Sequence, residues 1–364
     1  MTVKSITEIL EQKSPLQLAE DFDNVGLLVG NPDMEVSGIL VTLDTLEEVV
    51  AEAIQRNCNL IVSFHPILFR GLKKITGSTY VERVVAKAIE HKIAIYSMHT
   101  ALDNVPDGVS GKICEVLGLE NPQVLIPSRG AIKKLVTYVP HAAGDTLLKK
   151  LFEAGAGHLG NYSQCSFTSE GTGGFLPGEG AKPNLGTHGK RHLETETQIH
   201  ITFEAHREKA VLHSLFSNHP YEEVAFEVTT LENAYPGIGM GMVGYLPEPL
   251  PPLAFLEVVK KRFDCGCIRH SALTDAPVVK VAVLGGSGAF AIDAARTCGA
   301  DIFITGDVKY HEFFKAEGKM VIADIGHYET EQFTKNLLAE YLSEKIPNFA
   351  ISLSETKTNP INYF

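Results

Sequence analysis

Short apolar runs that each lead into a helical pattern recur along this chain, and that alternation admits few folds. Residues 38–44, 60–66, 93–98, 278–284, 301–307 and 321–323 are rich in Val, Ile and Leu. Their length and β-branching read as buried strands. Helical spacing follows at 46–56, 80–90, 289–297 and 330–341, with a further helical pattern over 5–19 that continues past Pro15. Strands alternating with helices predict an α/β fold built on parallel strands. In open sheets of that kind, ligands collect just beyond the carboxyl ends of the strands.

Chemistry-bearing residues stand at those ends. The run 321–323 breaks at Gly326 and continues as His327-Tyr-Glu-Thr-Glu331. Residues four apart on a helix lie on one face, about 5–6 Å apart between Cβ atoms. The His327 imidazole and Glu331 carboxylate are thereby placed to grip a divalent metal. Alone, the pair reads first as a helix start with a favourable acid in its first turns. Two other runs end alike, one in His65-Pro66 and one in His99 and Asp103. Three such ends, expected in one sheet, place His65, Asp103 and His327 on one rim and favour the metal. Asp307 and His311 form another pair at this spacing, either further ligands or groups that orient the first ones. Gly286-x-Gly288-x-x-Ala291 loosely matches a dinucleotide fingerprint, with Asp307 about 20 residues on. A tight turn offering backbone N–H groups is the plainer reading.

Between residues 130 and 232 the texture changes. Strands are expected at 135–139, 165–168, 197–203 and 224–228, helices at 142–154 and 208–218, and a glycine-rich connection at 171–189. The order β-α-β-β-α-β is that of the ferredoxin-like split βαβ unit, so this stretch is expected to be an inserted α+β domain. Gly237, Gly239 and Gly241 read as the hinge by which the chain returns to the α/β texture. The eight histidines of the insert, from His141 to His219, lack ligand spacing and read as solvated.

Composition narrows the partners. The chain has 364 residues, which favours more than one domain. A net charge of −12 argues against nucleic acid, whose phosphates call for clustered Lys and Arg. No apolar run approaches the roughly 20 residues of a membrane span. The first residues are too polar for a signal peptide, so the cytoplasm is the expected compartment. Six scattered cysteines point to reduced thiols, and Cys265-Gly-Cys267 has no second pair with which to hold zinc.

Asp23-Asn-Val-Gly-Leu-Leu-Val-Gly30, Phe64-His-Pro66, His99-Thr-Ala-Leu-Asp103, Gly171-Thr-Gly-Gly174, His219-Pro-Tyr-Glu-Glu223, Thr305-Gly-Asp-Val-Lys-Tyr-His311, Gly326-His-Tyr-Glu-Thr-Glu331 and the closing Asn359-Pro-Ile-Asn-Tyr-Phe364 occur in this order. Together they resemble the Nif-three-like dinuclear-metal proteins, the GTP cyclohydrolase 1 type 2 homologues, over nearly the whole chain. The resemblance implies two α/β halves, 1–128 and 233–364, forming one core, with a PII/CutA-like domain inserted at 129–232. It implies toroidal homohexamers, with metal pairs facing an internal cavity. It places metal ligands at His65, Asp103, His327 and Glu331. The first His of the family's His-His-Pro motif is Phe64 here, which has no donor atom, so one metal loses a ligand.

The leading expectation is a metal-dependent hydrolase acting on a small, nucleotide-like molecule, GTP cyclohydrolase chemistry being one form of it, with Zn, Fe, Mn or Co, one or two ions per subunit. His99 and His311 are the candidate general bases, on position. The alternative is a non-catalytic metal-binding, metal-carrying or ligand-sensing protein, which the missing ligand at Phe64 favours. A dinucleotide enzyme built on Gly286 and Gly288 ranks below both.

Overall fold

The computed structural model describes residues 1–364 and divides them into two compact units, 1–127 with 238–364, and 128–237. The first unit contains two sheets, not the one expected. One sheet runs in the order Gly26–Val29, Ala94–Ser97, Leu60–Ser63, Ile39–Thr42 and Ile351–Leu353. Its last four strands are parallel, and Gly26–Val29 pairs antiparallel at the edge. The other sheet runs Arg269–His270, Val321–Asp324, Ile302–Gly306, Val278–Ser287, Tyr235–Leu250 and Glu120–Ser128. Its three consecutive βα strands, Val278–Ser287, Ile302–Gly306 and Val321–Asp324, are parallel.

The near-continuous apolar runs follow from burial on both faces. Ile39, Val41, Leu60 and Val62 face one core, where the helices Val3–Lys13 and Thr334–Lys345 pack, while Leu40, Ile61 and Ile95 face another under Glu47–Gln55 and Tyr80–Glu90. The second sheet repeats the division, with Val281, Val283, Ile302 and Ile304 on one side and Ala282, Phe303 and Ile322 on the other. Alternation of period two thus sorts each run between two layers. The halves also exchange strands: Ile351–Leu353, from the end of the chain, completes the first sheet beside Ile39–Thr42. Conversely, Glu120–Ser128 joins the second sheet.

The second unit consists of Ile132–Pro140, Gly144–Glu153, Phe167–Phe175, His192–Glu204, Glu208–Asn218 and Phe226–Leu231, in the order β-α-β-β-α-β. Its four strands are antiparallel, ordered Phe167–Phe175, His192–Glu204, Ile132–Pro140, Phe226–Leu231. Both helices cover one face, closing a core around Leu135, Leu151, Ile199, Phe203 and Leu215.

Several local readings are corrected. Part of the glycine-rich connection, through Phe175, is strand, because pairing with His192–Glu204 supplies the hydrogen bonds that glycine propensity opposes. The three-glycine hinge lies inside the strand Tyr235–Leu250 for the same reason. The first helix stops at Lys13, and Leu16–Leu18 is only a 3₁₀ turn after Pro15. Proline disfavours helical backbone in the residue before it. No helix is long and apolar enough to cross a membrane.

Candidate metal centre

The carboxyl ends of the parallel strands of the two sheets meet, and the expected ligands arrive from both. His65 follows Leu60–Ser63 in the first sheet, and its backbone N–H donates to the Leu43 carbonyl at 2.9 Å. His327 opens the short helix His327–Glu331 that follows Val321–Asp324 in the second. One helical turn on, Glu331 projects from the same face. The donor atoms of His65, His327 and Glu331 all lie within 4.8 Å of one another. The rim expected of one sheet is therefore a seam between two.

Each histidine of the site is held by its own aspartate. His65 Nδ1 lies 2.8 Å from Asp44, His327 Nδ1 2.8 Å from Asp307, and His99 Nδ1 2.8 Å from Asp23. The aspartates are anchored in turn: Asp44 accepts from the Thr358 hydroxyl, Asp307 from Ser287 and Asp23 from the Thr100 backbone N–H. A carboxylate on Nδ1 fixes the tautomer and leaves Nε2 to a ligand. The Nε2 atoms of His65 and His327 each stand 3.1 Å from Glu331 Oε2. That oxygen is buried and makes no hydrogen bond of acceptable direction. An orphaned buried carboxylate oxygen facing two imidazole nitrogens is the arrangement a shared cation would complete.

Electrostatics agree with the geometry. Burial raises a carboxyl, yet the flanking His327 and His65 hold Glu331 down to about 2. His65 and His327 are half-buried, which lowers an imidazole, but the carboxylates around them push them up to about 10 and about 9. Asp103 is pushed well above its ordinary value, first by burial and then by the charge of Glu331. It stands outside the three-donor group but lines the same cavity.

The cavity measures about 240 Å³ and is lined by His99, Asp103, His327 and Glu331, with the exposed aromatics Phe22 and Phe290. No Lys or Arg lines it. Phe64 is fully buried, with its ring packed against those of His65 and His99 at 4.9 and 5.5 Å. Gly286, at φ +69°, admits the carboxylate: a Cβ there would lie 2.4 Å from Glu331 Oε1. The glycine that began the nucleotide-fingerprint reading therefore makes room for a metal-site acid, and the fingerprint's Asp307 orients His327. His311 is exposed in the turn Tyr310–Ala316, stacked near Tyr310 and Phe314, and does not line the cavity.

Asp44 and Asp23 are the functional residues that sequence reasoning passed over. Asp44 closes the run 38–44 as His65 follows the strand Leu60–Ser63, and Asp23 stands in the turn before Gly26–Val29. Their position at strand ends was the available signal.

A family model described as Duf34/NIF3 (NGG1p interacting factor 3) matches residues 1–360. A Bacillus subtilis protein named GTP cyclohydrolase 1 type 2 homolog is 37% identical over 365 residues, 99% of this chain and 98% of its own. A Staphylococcus epidermidis protein of the same name is 33% identical over the full length of both. Among solved structures, a Bacillus cereus protein related to NIF3 matches with a TM-score of 0.86 at 37% identity, covering 100% of this chain and 99% of that one. A Staphylococcus aureus protein matches with a TM-score of 0.79 at 28% identity and the same coverage.

Proposed function

We propose that this chain, which belongs to the Duf34/NIF3 family, holds a divalent cation between His65, His327 and Glu331 and uses it to hydrolyse a small planar heterocycle. The observation that carries the reading is the orphaned Glu331 Oε2, 3.1 Å from two Nε2 atoms whose opposite ring nitrogens are tied to aspartates. Asp103 is the fourth donor, a half-buried carboxyl that lines the same cavity. Phe64 offers no donor, so one tightly held ion per chain is expected where the family resemblance implies a pair.

A cation bound there would polarise the bond under attack and ease deprotonation of water. The chain supplies the rest. Asp44 and Asp307 keep the Nε2 atoms of His65 and His327 aimed at the site. His99, held at Nδ1 by Asp23, lines the cavity and takes up a proton as general base. Phe22 and Phe290 offer π-faces on which a flat ring stacks. No Lys or Arg of the lining would help that cation hold a triphosphate beside Asp103 and Glu331. The reading is therefore of a ring-bearing substrate, with the cyclohydrolase naming of the relatives indicating C–N ring opening.

The rival reading, a metal carrier or sensor, is favoured by one observation: Phe64 removes a donor that a catalytic metal pair would need. We further assign residues 129–232 as an inserted ferredoxin-like domain, on the strength of its antiparallel strand order, and the assembly as a cytoplasmic homohexamer. Elemental analysis with ions counted per chain, joined to a turnover screen over purine and pteridine heterocycles, tests the proposal. One ion per chain and metal-dependent turnover that collapses in His327→Ala and Glu331→Ala are expected. Tight metal binding without turnover on any ring would favour the carrier, and failure to retain any divalent ion would sink both readings.

A further inference from the structure

The inserted unit has a cavity of its own, of about 340 Å³, to which the metal reading assigns nothing. Two sequence runs meet there: Gly171-Thr-Gly-Gly174, in the strand Phe167–Phe175, and His219-Pro-Tyr-Glu-Glu223, before Phe226–Leu231. Its polar floor is Glu196, only 9% exposed. Oε1 of that carboxylate accepts from the Tyr221 hydroxyl at 2.8 Å, and no donor of the chain reaches Oε2. Gly173 is what admits the free oxygen, since a Cβ there would lie 2.0 Å from Glu196 Oε2.

Tyr221 is itself set in place. The buried His219 ring donates from Nε2 to the Tyr138 carbonyl at 3.0 Å and accepts the Tyr221 backbone N–H at Nδ1, at 3.1 Å. Burial holds that imidazole below its ordinary value, hence neutral, as the two bonds require. Burial and then Glu196 push the Tyr221 phenol well above its ordinary value, so its hydroxyl remains a donor. The Phe175 ring stands 5.9 Å from that of Tyr221, and Leu176 and Pro177 continue the apolar wall.

No Lys, Arg or His lines the cavity, while Glu222 and Glu223 add negative charge. A phosphate or carboxylate ligand would meet three carboxylates in the lining, with the Arg191 guanidinium beside Gly174 as a partial offset. A bare divalent ion would find one fixed carboxylate and a phenol, where hard cations want six or more oxygens. An ammonium or guanidinium group brings donors to the unfilled lone pairs of Glu196 and gains from the neighbouring π-faces. We propose that this cavity binds a small organic cation, its charged head on Glu196 and its apolar body against Phe175, Leu176 and Pro177. The inference is independent of the metal centre.

Titration calorimetry on the full chain tests it, with benzylamine and agmatine as probes and ATP, inorganic phosphate and MnCl₂ as contrasts. Binding of at least one amine is expected, weakened tenfold or more by Glu196→Gln. Leu176 is 64% exposed, so Leu176→Arg leaves the thermal unfolding profile intact while setting a fixed cation at the wall. It should weaken amine binding at least as strongly. The proposal is overturned if neither amine binds, or if binding is indifferent to both substitutions. It is equally overturned if ATP or phosphate binds and Leu176→Arg strengthens it, or if Glu196→Gln removes a Mn²⁺ ion from the stoichiometry.

Discussion

His65 and His327 each commit one ring nitrogen to an aspartate and present the other to Glu331, so the aspartates should matter nearly as much as the ligands. Asp44→Asn and Asp307→Asn keep the shape but lose the charge that fixes the tautomer. Each should lower metal affinity by about 10–100-fold, read by competition with a chromogenic chelator; unchanged affinity would mean the histidines are not ligands. The same residues predict a pH dependence. Free of cation, His65 and His327 sit at about 10 and about 9, despite partial burial, because of the carboxylates around them. A raised imidazole stabilises the fold fully below its ordinary value near 6.5, and that contribution is lost as pH climbs through 9 to 10. Protein stripped with EDTA should therefore lose Tm across that window. Cation binding must displace these protons, so metal affinity should rise over the same range, with proton release seen by calorimetry in buffers of different ionisation enthalpy.

At the level of single elements, a threonine side chain caps the start of two helices, Val3–Lys13 and Tyr80–Glu90. Thr79 caps the helix Tyr80–Glu90 by accepting the Glu82 N–H, while Glu82 accepts the Thr76 and Ser78 N–H groups. Thr79→Ala should cost about 1 kcal/mol in chemical denaturation. Those bonds, the Thr76 backbone N–H foremost, hold Glu82 at about 2 against an ordinary 4.5. Its contribution is thus present above 4.5 and lost as pH falls toward 2, a dependence that Glu82→Gln should erase from the acid-unfolding curve. The strands are a matter of burial: Ile304 is fully buried, and Ile304→Ala should cost about 2–5 kcal/mol. These strands were legible because an apolar run buried on two faces has few other fates. The strand Tyr235–Leu250 and the end of Phe167–Phe175 were not, because their glycines oppose strand by propensity and only their pairing partners overrule it.

For the whole molecule, Gly239 lies against Ile126, where an added Cβ would come 2.2 Å from the Ile126 carbonyl. The first unit thus brings together the two points at which the chain leaves and re-enters it. Replacing residues 129–236 by a short glycine-rich turn should leave a folded protein that still binds its cation, with cooperative unfolding by calorimetry as the check; a molten product would show that the insert completes the core. The sequence alone determined the βα alternation, the acids and histidines at the strand ends and the β-α-β-β-α-β order of the insert, because periodicity and local propensity write themselves along the chain. Only the tertiary structure decided that the ends belong to two sheets meeting at a seam, that Asp44 and Asp307 hold the histidines facing Glu331, and that His311 stands apart. Those outcomes depend on which distant segments pack together, and the spacing of residues along one strand or helix carries no record of its partner.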